Sequence, residues 1–202
     1  MKPINATRRS FILGGLATLT ATVAPWPRAA QAATAAQAEA LVDKLVADIN
    51  RVISSGKSEA SMIRDFEGIF KRYADLPTIA ATALGVDGRR ATSAQKKAFT
   101  DAFTGYISRK YGKRFREFIG GKIEVNSSKS VKNAYQVTGT MILRNQAPFE
   151  VVFFVGQNSG KFYNLYLEGV NMLLTERTEI GAMLDKRRGD IDAMIADLRK
   201  AG

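Results

Sequence analysis

The chain is expected to fold as one α+β domain, with several helices packed on an antiparallel sheet of about four strands. Three observations carry this. Apolar residues recur at three- and four-residue spacing through the first half; from residue 122 the pattern turns to short runs rich in Val, Ile, Phe and Tyr; and after Gly169 the helical spacing returns. The links between the strand-like runs are too short for crossovers, so neighbouring strands must be antiparallel.

Residues 1–32 read as a cleavable export signal. Arg8 and Arg9 precede Ser10-Phe11-Ile12, then comes an uncharged, mildly apolar run, then Arg28 and the small residues Ala29-Ala30-Gln31-Ala32. The paired arginines resemble a twin-arginine signal; an ordinary secretory n-region is the alternative, with the same destination. The apolar run is short for a membrane-spanning helix, which needs roughly 20 apolar residues. The expected location of the mature protein, residues 33–202, is the periplasm.

The first helix is placed at residues 35–53, where Leu41, Val42, Leu45, Val46, Ile49, Val52 and Ile53 line one side, and Gly56 follows as a stop. Ser58 caps a second helix bearing Met62, Phe66, Ile69, Phe70 and Tyr73. Asp75-Leu76-Pro77 breaks the chain and starts a short helix, with Pro77 in its first turn and Gly85 at its end. Thr92 and Gln95 form a capping-box pair opening a long helix that is expected to reach Ile119, before Gly120-Gly121. Four strands follow, in "KIEVNSS", "AYQVTGTMIL", "FEVVFFV" and "KFYNLYLEG". A helix over 172–188 and a last one capped by Asp190, with Ile191, Met194, Ile195 and Leu198 as its stripe, complete the chain.

Composition narrows the function classes. The formal net charge is +11, and removing Lys2, Arg8, Arg9 and Arg28 with the signal leaves +7. Export takes nucleic acid away as a partner, and the positive surface then suits anionic head groups, acidic protein patches or plain solubility. There is no Cys and no His, so disulfides, thiol and imidazole catalysis and the usual zinc sites are absent. A hydrolase would need paired carboxylates, for which Asp75, Asp101, Glu150 and Glu168 are candidates by elimination only.

Two features point to a cavity. On the long helix Phe99, Phe103, Tyr106, Ile107, Tyr111 and Phe118 form a wide apolar arc, with Arg109, Lys113 and Arg116 on another side. Lys110 and Arg114 intrude into the arc, which suits the mouth of a cavity better than a closed core. "FEVVFFV" and "FYNLYL" carry more apolar surface than one packed sheet face needs. A core packed on both faces is the alternative.

"YADLPTIAATALG", "RRATSAQKKAFTDAFTGYISRKYGKRF" and "KFYNLYLEGVNMLLTERTEIGAMLDKRRGDIDAMIADLRKA" resemble the three hallmark stretches of the MlaC, or toluene-tolerance auxiliary, family. The resemblance runs from about Ala38 to the end, and its most specific part is Leu167-Glu168-Gly169-Val170-Asn171-Met172 with Arg177. Phe162, Asn164 and Asn171 depart from the family pattern.

The resemblance implies an NTF2-like or cystatin-like arrangement with an apolar cavity between helices and sheet. It further implies a periplasmic, non-enzymatic phospholipid shuttle that supports outer-membrane lipid asymmetry, with no cofactor and with phospholipid as cargo. The implied partners are an inner-membrane ABC transporter carrying an MCE-domain protein and an outer-membrane lipoprotein complex; the protein itself is expected to be a monomer. Apolar residues on the matching segments are the expected lipid wall: Tyr73, Leu76, Ile79, Phe103, Tyr106, Val137, Val151, Phe153, Leu165 and Val170. Arg109, Lys113 and Arg116 are the expected head-group or partner surface. The rival reading is a ligand-free NTF2-like interaction module with a filled core, which cavity volume separates from a carrier.

Overall fold

The structure, a computed structural model, describes residues 33–202; the export signal expected over 1–32 and the side chains of Phe115 and Arg116 lie outside what it describes. Six helices, α1 (Ala35–Ile53), α2 (Glu59–Tyr73), α3 (Leu76–Leu84), α4 (Ser93–Gly112), α5 (Met172–Lys186) and α6 (Ile191–Leu198), pack on one sheet. The sheet runs β1 (Lys122–Val131), β2 (Ala134–Ile142), β3 (Phe149–Gly156), β4 (Phe162–Leu167) and β5 (Val170–Asn171), in that spatial order and antiparallel throughout. It therefore has five strands where about four were expected. The extra one is a two-residue strand in the turn before α5, below the length at which periodicity is readable.

Local chemistry fixes the helix starts. Ser58, Asp75, Asn171 and Asp190 accept backbone N–H bonds from Ser61, Thr78, Leu174 and Ala193, and Thr34–Gln37 and Thr92–Gln95 form reciprocal capping boxes. The long helix ends at Gly112, seven residues earlier than expected, and the chain turns through a short 3-10 segment at Phe115–Phe118. Gly112 is a weak helix former, and the seven-residue step from Tyr111 to Phe118 reads the same whether or not the helix is continuous. Phe118 thereby folds back against the sheet-side core.

The side chains form two hydrophobic clusters. One joins α1 and α2 to the inward residues of β2 and β3, Val137, Val151, Phe153 and Val155; the other joins α3, α4, α5 and α6 around Phe99, Phe103, Ile180, Met194 and Leu198. Phe162 at the start of β4 packs against both. Its carbonyl accepts the Asp75 N–H at 2.8 Å and its strand bridges Ala74, so the α2–α3 junction is pinned to the sheet edge.

A polar tie joins α1 to α2. Asp48 on α1 is buried, and its carboxylate accepts from Arg51 at 2.6 Å, Tyr73 at 2.8 Å and Arg72 at 3.0 Å. The Tyr73 hydroxyl, aided by the two guanidinium groups and opposed by burial, holds the Asp48 carboxyl below its ordinary value. Because the pKa is lower folded than unfolded, the charge stabilises the fold above pH ~3.9 and the contribution is lost as pH falls through the folded value.

Two stability measurements check this picture. Asp48→Asn is expected to lower unfolding free energy by about 1–3 kcal/mol at pH 7, with the gap to wild type narrowing in urea titrations run below pH ~4. Gly112→Ala is expected to destabilise by about 1–3 kcal/mol, although Ala is the better helix former by about 1 kcal/mol. A Cβ at 112 would lie 2.7 Å from Ile63 Cγ1, where α2 crosses α4.

Candidate functional site: an apolar cavity between the two cores

A cavity of about 580 Å³ lies where the two clusters face each other. Leu45, Val46, Ile49 and Ile53 of α1 and Phe66 and Phe70 of α2 form one side, Ile79 of α3 with Phe103, Ile107 and Tyr111 of α4 another. The floor is the sheet, with Val151, Phe153, Phe162, Leu165 and Leu167, and Leu173 and Glu176 of α5 close the end. At the rim stand Arg114, Glu117, Lys122, Gln146, Glu168 and the exposed Val170.

Six of the ten expected wall residues lie on this cavity: Ile79, Phe103, Val151, Phe153, Leu165 and Val170. The other four do not. Val137 points the expected way but is fully buried among α1 and sheet residues, Leu76 packs into the α3–α6 cluster, and Tyr73 is held by Asp48. Tyr106 turns its hydroxyl to Glu179, 2.6 Å away on α5. Ile49, Phe70 and Ile107 are wall residues whose signal was present in the helix stripes, while Tyr163 could not be assigned a face from a strand apolar at nearly every position.

The expected head-group surface is placed elsewhere. Arg109 donates from Nε to the Ala201 carbonyl at 2.8 Å and from Nη2 to that of Leu198 at 2.9 Å, and Lys113 donates to Gly202 at 2.6 Å. Both satisfy carbonyls at and beyond the C-terminal end of α6, where helix geometry leaves acceptors without partners. Neither lines the cavity, and the Arg116 side chain is outside the described ones.

Of the two cations that intrude into the arc, Arg114 stands at the cavity rim, while Lys110 lies behind the wall, bonded to its residue Glu176. Lys110 snorkels out of the apolar arc and donates from Nζ to Glu176 Oε1 and to both oxygens of Glu179, each at 2.8 Å. Tyr111 donates to the same Glu176 oxygen at 2.5 Å. Burial depresses the Lys110 pKa, but the hydrogen bonds to the two glutamates outweigh it and the net shift is upward. Burial, reinforced by the adjacent carboxylates, pushes the Tyr106 and Tyr111 phenols above their ordinary value. Arg114 lies past the end of α4 and pairs with Glu117 at 2.9 Å.

The carboxylates weighed for hydrolysis have other placements. Asp75 caps α3 and Asp101 pairs with Lys97 at 3.1 Å. Glu168 is joined to Glu150 through the backbone, its N–H donating to the Glu150 carbonyl at 3.0 Å.

Arg109→Ala is expected to lower stability by about 1–2 kcal/mol, the scale of lost charge-assisted bonds to partly buried carbonyls. The amount of any ligand held in the cavity should stay unchanged, as measured by denaturation and by organic extraction of the same sample.

Comparison with known proteins bears on this geometry. The family model described as MlaC protein matches residues 39–200. Among solved structures the fold is similar to that of a phospholipid-binding protein from Ralstonia solanacearum, solved in complex with a phospholipid, at 19% identity and a TM-score of 0.67. That likeness covers 80% of this chain and 98% of the other. The family match runs from within α1 past the end of α6 and takes in every strand, and the chain belongs to the MlaC protein family.

Proposed function

We propose that the protein is a non-enzymatic phospholipid carrier of the periplasm, taking acyl chains into the cavity and leaving the head group at its rim. The observation that carries this is the cavity itself, about 580 Å³ bounded by aliphatic and aromatic side chains from both hydrophobic clusters. Cores are ordinarily packed to the density of organic crystals, so an apolar space this size favours a carrier over a filled-core interaction module. The family membership and the phospholipid seen in the Ralstonia solanacearum protein support the same cargo.

The energetics suit transport. Each methylene exposed to water costs about 0.8 kcal/mol, which makes unaided crossing of an aqueous space prohibitive for a two-chain lipid. Passage from bilayer to cavity exchanges one apolar medium for another, so the carrier need only match the membrane roughly. Direction must then come from differential binding by its partners, an outer-membrane lipoprotein complex and an inner-membrane ABC transporter with an MCE-domain protein.

Obstructing the cavity tests this. Ile49 sits half-buried on the α1 wall, and Ile49→Trp is expected to fill part of the space and cut transfer of fluorescent phospholipid between vesicles about tenfold, a loss of ~1.4 kcal/mol in binding. The unfolding midpoint should stay near that of wild type. Undiminished transfer by a folded Ile49→Trp protein would remove the cavity from the proposal.

A further inference from the structure

Glu176 is 3% exposed and belongs to the cavity wall, yet its two carboxylate oxygens are treated unequally. Oε1 accepts from Lys110 and Tyr111, whereas Oε2 is buried and has no donor among the described residues. A carboxylate oxygen in that position normally has a hydrogen-bond partner, because leaving it without one forfeits hydration and gains nothing. The other polar group at that end of the wall, Asn164, has its side-chain oxygen occupied by the Leu165 and Leu173 N–H groups. Glu176 Oε2 is thus a spare acceptor in surroundings that are otherwise apolar or satisfied.

Charge defines what suits it. The single cation at Glu176, Lys110, is shared with Glu179, and Glu168 at the rim has no ion pair among the described residues. The two lining cations are already matched, Arg114 by Glu117 and Lys122 by Glu124. The cavity of this strongly basic chain therefore carries surplus negative charge.

We propose that Glu176 is a ligand-selecting residue whose Oε2 accepts an N–H from the protonated amine of a zwitterionic phospholipid head group, an inference that rests on the carrier reading above. The amine supplies both the missing donor and the missing positive charge, and a charge-assisted bond is roughly twice as strong as a neutral one.

The test is competitive loading of the full mature chain from vesicles holding equal amounts of four lipids with identical acyl chains. Their head groups are ethanolamine and its mono-, di- and trimethylated forms, and bound lipid is extracted and quantified by mass. Retention is expected to hold while one N–H remains and to fall about tenfold at the trimethylated head group, the lower end of the scale of a hydrogen bond to a charged group. Glu176→Gln should bring the four to equal retention. Equal retention in wild type, a smooth decline with each methyl, or a preference that survives in Glu176→Gln would each overturn the proposal; the wild-type series decides it even where the variant does not fold. Retention of none of the four would instead remove the carrier reading, and this inference with it.

Discussion

The architecture depends on two hydrophobic clusters that meet without merging. Each is closed in itself, with Val42, Val137, Val151 and Val155 fully buried on one side and Phe99, Phe103, Ile180 and Leu198 on the other. What joins them is a set of discrete ties: Phe162 in contact with Phe70 and Phe153, the Asp75–Phe162 backbone bond, and the turn that brings Phe118 back over the sheet. A continuous core would have lowered the free energy by burying the facing side chains against each other. The ties join them only locally, and the apolar faces left uncovered are the cavity wall.

Polar groups at the edge of this arrangement are used in two distinct ways. Asp48 with Arg51, Arg72 and Tyr73, and Arg109 and Lys113 with the C-terminal carbonyls, are structural fasteners away from the cavity. Tyr111 and Glu176 of the cavity wall, with Lys110 and Glu179 behind them, fasten α4 to α5, so the bonds that join these helices also set the electrostatics of that part of the wall. Surplus acid at the cavity of a basic protein sets the charge of the cavity apart from that of the rest of the surface.

Much of the fold was legible because its causes are local. Ser58, Asp75, Thr92 with Gln95, and Asp190 announce helix starts through bonds three residues long, and the parity of Val137, Val151, Phe153 and Leu165 follows from strand alternation. The site was legible only in outline, because its details are set by distant partners. Tyr73 reads as an apolar wall residue until Asp48, 25 positions away, claims its hydroxyl, and Arg109 reads as a free cation until the carbonyl 92 positions on is brought to it. Glu176 had a signal that went unused. It follows Leu173 by three residues and precedes Ile180 by four, so the spacing alone put an acid on a buried face of α5.

The account stands on the claim that the cavity between the two cores holds a phospholipid. Native mass spectrometry of the mature protein purified from a bacterial periplasm, followed by organic extraction, tests it most directly. A stoichiometric mass excess that extracts as diacyl phospholipid is the expected result. A bare polypeptide mass, unchanged after incubation with liposomes, would contradict the account and leave a ligand-free interaction module in its place.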